Sequence, residues 1–302
     1  MAVDYANSGR YDLDAFQKAV DLGFGKTTDT EAKGHYYSGS TANFASLLGL
    51  AAADTRVTDI RWIAYMMGTT FWEAAHIVSL PPAAPKKKAR HVYVTGTPIE
   101  EAGKGAGRNY YLPVKVTPFV SATADPMKAL VTIFDGSQYT IKVNGRLYTI
   151  HRVIKGVEEK SAYGNLPHQG GALPATKAPT TYMDAPGAAN SYYGRGYVQL
   201  TWWYNYAAAG DATGCGLMYL YHPERVLQAN DAYQIMAWGM LNGYGFANGH
   251  KLSDYFNATK SDYTGARAII NANDPKPAIV TASKIFEEAL LAARLTVPGP
   301  KQ

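Results

Sequence analysis

The apolar residues change their spacing twice along this 302-residue chain, and this change limits the possible folds more than any other feature. Over residues 1–76, and again after Tyr192, they recur every three or four residues, as in helices that bury one face. From about His91 to Asn190 they form short β-branched and aromatic runs, which are typical of strands. The pattern predicts an α+β chain, in which a mainly helical body is interrupted by one β-rich insertion.

The best-defined helix is predicted to start at Thr58 and Asp59 and to be stopped by the prolines that begin at Pro81. Its buried stripe would consist of Ile60, Ile63, Ala64, Met67 and Phe71. Further helices are expected over residues 11–22, from a cap at Ser40 or Thr41 to Leu50, from a cap at Asn230 or Asp231, and over residues 278–295.

The inserted segment contains the runs ALVTIF, QYTIKV and RLYTI, which are punctuated by Asp135-Gly136 and Asn144-Gly145. Such dipeptides suit the tight turn of a β-hairpin. The three runs therefore predict a three-stranded meander. We expect a helical body over residues 1–78 and 192–302 and a β-rich subdomain over residues 79–191.

The composition excludes several classes of protein. No run reaches about 18 consecutive apolar residues, so no membrane-spanning helix is expected, and the first residues lack the pattern of a secretory signal. The single cysteine, Cys215, excludes an internal disulfide and a cysteine-based zinc site. The seven histidines are scattered without ligand-like spacing, and no glycine motif for nucleotides occurs. We therefore expect no metal and no cofactor.

The net charge of +5, with a pI near 9.0, favours anionic partners. Residues 86–90 form a basic run, but no base-stacking element accompanies it. We interpret the run as a solvated linker and expect no nucleic-acid partner. The 23 tyrosines and 5 tryptophans suit the binding of sugars, because flat aromatic rings stack on sugar faces.

Glu73 is the first candidate for chemistry. It ends an otherwise apolar helix and is flanked by Phe71, Trp72, Ala74 and Ala75. Apolar surroundings disfavour an ionised carboxyl and raise its pKa, so that it holds a proton for delivery. The alternative interpretation is that Glu73 is a solvated residue at the end of a helix and has no catalytic role.

Glu100 and Glu101 precede the glycine-rich turn of TPIEEAGKGAGRNYY. A carboxylate that activates water has to stay charged, and a polar, partly wetted loop keeps it in that state. Two solvated loop acids would give the same pattern.

A third feature is the segment SYYGRGYVQLTWWYNY, residues 191–206. Gly194 and Gly196 flank Arg195 and allow the backbone to approach a ligand closely. The segment also interleaves hydrogen-bonding side chains with aromatic rings, as a sugar-binding cleft does: Gln199, Thr201 and Asn205. A tight turn into an amphipathic helix is the alternative interpretation.

Together these segments resemble glycoside hydrolase family 19 and its lysozyme-like phage endolysin branch. The run YYGRGYVQLTWWYNY is similar to the Gly-Arg-Gly-x-x-Gln-Leu-Ser/Thr signature of that family, and TDIRWIAYMMGTTFWEAAH resembles its helix that ends in the catalytic acid. TPIEEAGKGAGRNYY, AWGMLNGYGFANGHKLSDYF and ARAIINANDPKP resemble further endolysin motifs. The resemblance covers the helical body, about two thirds of the chain, and implies a lysozyme-like fold.

The resemblance also implies an inverting mechanism with two carboxyls. Glu73 would be the general acid and Glu101 the general base, about 6.5–9.5 Å apart. Glu100 is the fallback for the base, and Thr201 would help to hold the attacking water. The remaining matched positions would contact the substrate or shape the cleft: Tyr193, Arg195, Gln199, Asn205 and Asn271.

The chain departs from the family pattern beside the acid and in its insertions. Trp72 and Ala74 replace the usual His and Thr, and Glu101 follows Glu73 by 28 positions, which is longer than the branch normally has. The inserted segment could therefore supply the base in place of Glu101, from Glu158, Glu159 or Asp184.

The expected function is an endolysin-like hydrolase that cleaves the β-1,4-linked amino-sugar backbone of bacterial peptidoglycan, as a monomer and without a cofactor. The lack of disulfides fits a protein held in the bacterial host cytoplasm until its release to the cell wall, or one attached to a virion. Two alternatives stay open: a chitinase acting on chitin oligomers, and a catalytically inactive wall-binding or virion structural protein.

Overall fold

The computed structural model describes residues 3–82, 89–106, 110, 114–117, 130–133, 139–143, 146–150, 152–154, 157–159, 192–215, 219, 222–271, 274 and 276–295. These residues form helices and strands, so the chain has a broadly α+β fold. Among the helices in these ranges, none is both long and apolar enough to cross a membrane.

In chain order the helices are α1 (Leu13–Lys26), α2 (Thr30–His35), α3 (Phe44–Ala53), α4 (Ile60–Glu73), α5 (Trp203–Ala212), α6 (Ala229–Asn242), α7 (Leu252–Tyr255), α8 (Ala268–Asn271) and α9 (Pro277–Ala293). The strands are β1 (His76–Leu80), β2 (Arg90–Val94), β3 (Ile99–Glu100), β4 (Val114–Thr117), β5 (Leu130–Ile133), β6 (Tyr139–Val143), β7 (Arg146–Ile150), β8 (Arg152–Ile154), β9 (Val157–Glu159) and β10 (Arg195–Gly196).

The chain divides into two compact units. The first unit comprises Met1–Ile99, Gly196–Val198 and Ala229–Gln302, and the second comprises Glu100–Arg195 and Gln199–Gln228. Of the described elements, the helices other than α5 belong to the first unit, together with the antiparallel pair β1 and β2.

The core of the first unit forms around α4, which packs against α9, and α9 packs in turn against α1. Aromatic rings fill this core; the ring centroids of Phe24 and Phe71, for example, lie 5.0 Å apart. A Cβ at Gly68 of α4 would clash with Ser283 of α9. The close approach of the two helices therefore requires a glycine at this position.

The helix α4 has the predicted start and the predicted buried stripe. Asp59 caps it by accepting a hydrogen bond from the Arg61 N–H at 2.8 Å. The five residues of the stripe are fully buried: Ile60, Ile63, Ala64, Met67 and Phe71. The helix ends at Glu73, however, because the chain then forms β1, which pairs with β2. The prediction that Pro81 stops the helix is wrong, since this proline follows the strand.

The predicted caps of two other helices are also wrong. Ser40 and Thr41 lie inside a 3-10 segment, and α3 begins only at Phe44. The Ser40 hydroxyl instead accepts a hydrogen bond from a backbone N–H in another part of the first unit. The helix α6 begins at Ala229, so residues 230–231 lie in its first turn.

The strands of the inserted segment do not form one three-stranded meander. The strands β6 and β7 pair as an antiparallel hairpin, with Tyr139 opposite Ile150, as predicted. The strand β5 pairs instead with β4 on one side and, in parallel, with β8 on the other. A turn dipeptide determines only its local hairpin. The neighbours of β5 depend on pairings between strands that are not consecutive.

Candidate active site

Glu73 is the last residue of α4, a helix whose side chains are almost all buried. Its own side chain is 25% exposed. Arg267 donates a hydrogen bond from Nη2 to Glu73 Oε1 at 3.3 Å. Burial raises the pKa of Glu73, and the positive charge of Arg267 offsets only part of this increase. The protonated form of the carboxyl is therefore favoured relative to a solvated glutamate.

Arg267 ends a short 3-10 turn in the first unit and is 3% exposed. Its Nε donates to the Asp274 backbone oxygen at 3.4 Å, and its Nη1 is buried without a hydrogen-bond partner among the described residues. A buried guanidinium needs a counter-charge, which Glu73 supplies when ionised. Arg267 is not among the site residues predicted from the sequence. The local signal is a lone charge in the apolar run ARAII, since a charged side chain is rarely buried without a partner.

Glu101 lies directly after β3 in a loop of the second unit, and it is itself half-buried. Its N–H donates to the Gly194 backbone oxygen at 2.8 Å, and its Oε2 accepts from the Gly194 N–H at 3.1 Å. These two hydrogen bonds orient one oxygen of the carboxylate. The predicted base and the predicted sugar-binding segment are therefore in direct contact.

The carboxylate of Glu100 has more side-chain partners than that of Glu101. Its carboxylate accepts hydrogen bonds from the Tyr193 hydroxyl and from Arg195, and Lys104 lies 3.5 Å from it. Burial alone would raise the pKa of Glu100, but the Tyr193 hydrogen bond and the charges of Arg195 and Lys104 lower it on balance. Glu100 is thus held in its ionised form by groups that already occupy its oxygens.

The glycines of the predicted sugar-binding segment serve contacts within the protein. A Cβ at Gly194 would lie 2.7 Å from Gln199 Oε1, and Gly196 has a left-handed backbone with φ of 82°. Gln199, itself half-buried, also has a positive φ of 50°. Tyr193 and Arg195 are buried, at 8% and 5% exposure. These two side chains are therefore little accessible to a ligand, and both donate hydrogen bonds to Glu100.

Three other predicted site residues are Thr201, Asn205 and Asn271, of which the first two belong to the second unit. Thr201 is half-buried, and its backbone oxygen accepts a hydrogen bond from Asn205 Nδ2 at 3.0 Å. Asn271 is exposed at the end of α8 in the first unit. Of the alternative bases, residues 158–159 lie in β9, and Asp184 lies outside the described residues.

The part of the chain that the structure describes contains no group of His, Cys, Asp or Glu that could hold a metal ion. It does contain an open groove of about 590 Å³ in the first unit, lined in part by Tyr5, Trp62 and Asn257. Trp62 lies in the first turn of α4 and Glu73 in the last, roughly 16 Å away along the helix axis. The groove is therefore separate from the candidate acid.

Comparisons with protein-family models, with curated proteins and with solved structures found no match to this chain.

Proposed function

We propose that this chain is an endolysin-like glycoside hydrolase that cleaves the β-1,4-linked amino-sugar backbone of bacterial peptidoglycan with inversion. The observation that carries the proposal is the environment of Glu73. Its carboxyl ends a buried helix, burial raises its pKa, and Arg267 lies 3.3 Å from it. A carboxyl in this state can deliver a proton to a glycosidic oxygen.

In the proposed reaction Glu73 is the general acid. It protonates the glycosidic oxygen as the bond from that oxygen to the anomeric carbon breaks. The carboxylate that remains then pairs with Arg267, whose Nη2 already lies next to Oε1. Because the attraction acts on the charged form, it stabilises the transition state in which this charge develops.

Glu101 is the general base of the proposal. The Gly194 N–H holds Oε2, whereas Oε1 accepts no hydrogen bond from the described residues. A carboxylate with one oxygen oriented and the other available can take a proton from a water molecule. That water would attack the anomeric carbon on the face opposite the leaving oxygen. Thr201 would help to hold it, as the family resemblance implies.

The net charge of +5 supports a substrate in the bacterial envelope, where anionic polymers surround the glycan. Salt should weaken this attraction. We propose that the protein waits in the host cytoplasm, or on a virion, until lysis gives it access to the wall.

Digestion of purified murein tests this function. The protein should release fragments with new reducing ends, whose masses identify the sugar at the cut, and NMR of fresh product should show the inverted anomer. Glu73→Gln should abolish the release, because it removes the proton donor and keeps the volume. The matched control is Glu288→Gln, an exposed position on α9, which should leave the release unchanged.

The same assay distinguishes the alternatives. Cleavage of chitin oligomers without cleavage of murein would indicate a chitinase. Binding of murein by the parent and by Glu73→Gln, with cleavage by neither, would contradict the hydrolase and indicate a wall-binding protein.

A further inference from the structure

Glu100 lies at the centre of a polar cluster in the second unit. Its Oε1 accepts hydrogen bonds from the Tyr193 hydroxyl and from Arg195 Nε, the latter at 3.2 Å. The Arg195 guanidinium also lies over the Tyr193 ring, 3.8 Å from the ring centroid. The arginine side chain is 5% exposed and that of Glu100 is 31% exposed, so a buried charge forms a charge-assisted hydrogen bond with a partly exposed carboxylate.

A second layer of hydrogen bonds holds the same cluster from the interior. The hydroxyl of Tyr206, which is completely buried, accepts from Arg195 Nη1 at 3.2 Å and donates to the Tyr193 backbone oxygen at 2.8 Å. Buried polar groups that are bonded to one another specify one arrangement of the chain. These hydrogen bonds therefore hold Tyr193 and Arg195 in one position.

Gly194 lies between these two anchored residues and forms both hydrogen bonds that hold Glu101. The carboxylate of Glu100 is bonded to the residues on either side of this glycine. Any movement of the anchored pair would thus move the backbone groups that orient Glu101.

We propose that Glu100 is a positioning residue for Glu101 and is not itself the base. It fixes Tyr193 and Arg195, these fix Gly194, and Gly194 orients the carboxylate that activates water. This inference rests on the proposed function. It assigns different roles to two neighbouring glutamates, whereas the sequence left the choice of the base between them open.

Azide distinguishes a base from a positioning residue. As an anion it can displace the leaving oxygen without a general base, while Glu73 still protonates that oxygen, so the products are an inverted glycosyl azide and a free hydroxyl group. Azide should restore turnover to Glu101→Ala. In Glu100→Ala, misplacement of the base should lower kcat by about 100-fold. Azide should not restore this variant, because the Glu101 carboxylate is still present beside the position of attack and repels the anion. Restored turnover in Glu100→Ala would overturn the assignment.

A second measurement does not depend on activity, and it decides the matter where azide restores neither variant. Hydrogen exchange, followed by NMR, reports on the N–H groups of Gly194 and Glu101, which are both hydrogen-bonded. Glu100→Ala should accelerate their exchange by about tenfold or more. The matched control is Glu224→Ala, at a 63% exposed side chain of the second unit, which should not.

The two kinds of failure are distinguishable. Unchanged exchange in folded Glu100→Ala overturns the positioning role whether or not the protein cleaves murein. Accelerated exchange in a protein that never cleaves murein supports the anchoring by Glu100 and contradicts only the proposed function.

Discussion

His35, the last residue of α2, should make the protein sensitive to mild acid. Its ring is 8% exposed and is stacked between Trp72, at 4.5 Å, and Tyr93, at 4.1 Å between ring centroids. Burial lowers the pKa of His35 to about 4 from the ordinary 6.5, although a hydrogen bond to the Phe71 backbone opposes the change. The folded state therefore keeps the ring neutral where the unfolded state would protonate it.

The sign and size of the effect follow from this difference. As the pH falls through 6.5, the unfolded chain binds a proton and the folded chain does not, so the free energy of unfolding decreases until the pH reaches about 4. This decrease in the pKa of His35 corresponds to a loss of about 3 kcal/mol in the free energy of unfolding over that pH interval. This loss is large beside a total stability of about 5–15 kcal/mol.

The variant His35→Phe keeps a flat ring in the stack and cannot be protonated. Urea unfolding at several pH values should show that the parent loses about 3 kcal/mol more stability than this variant between neutral pH and about pH 4. The matched control is His91→Phe at an exposed position of β2, which should follow the parent. Parallel stability profiles for the parent and His35→Phe would refute the reasoning.

Two further stability predictions follow from packing and from a buried charge. Gly68→Ala should destabilise the protein by about 1–3 kcal/mol, because the new methyl group collides with Ser283. Its control is Gly49→Ala in α3, which has open space around it and should stabilise the protein by about 0.5–1 kcal/mol. Equal shifts in the melting temperature of the two variants would contradict this account. Asp59→Ala should lower the free energy of unfolding in urea by about 3–5 kcal/mol, since it removes the helix cap and leaves the 5% exposed Arg61 without its carboxylate. A decrease below about 1 kcal/mol would mean that the backbone oxygens around Arg61 are enough to stabilise its buried charge.

The elements that the sequence predicts best are those that depend on local spacing. The predicted stripe of α4 is fully buried and residues 278–295 bury one face, and both helices form. The sequence did not predict the pair of β1 and β2, because both strands are short and a sequence segment rich in proline and lysine separates them. Alternation of half-buried and exposed residues in HIVSL is a weaker signal than a helical stripe.

The candidate site was predictable to the extent that it depends on immediate neighbours. The apolar flank of Glu73 pointed to a carboxyl with a raised pKa. Its partner Arg267 lies 194 positions away along the chain, and the partners of Glu100 lie 93 and 95 positions away. Spacing in a sequence carries no information on such contacts, because folding alone brings them together.

The most direct test of the central claim is a titration of the Glu73 carboxyl itself. The ¹³C chemical shift of this carboxyl, assigned by its disappearance in Glu73→Gln, can be followed by NMR from acid to neutral pH in the 302-residue chain. The account predicts a midpoint above the ordinary glutamate value of 4.5, because burial outweighs the charge of Arg267. A midpoint at or below 4.5 would mean that Glu73 holds no proton for delivery, and the proposed acid would be wrong.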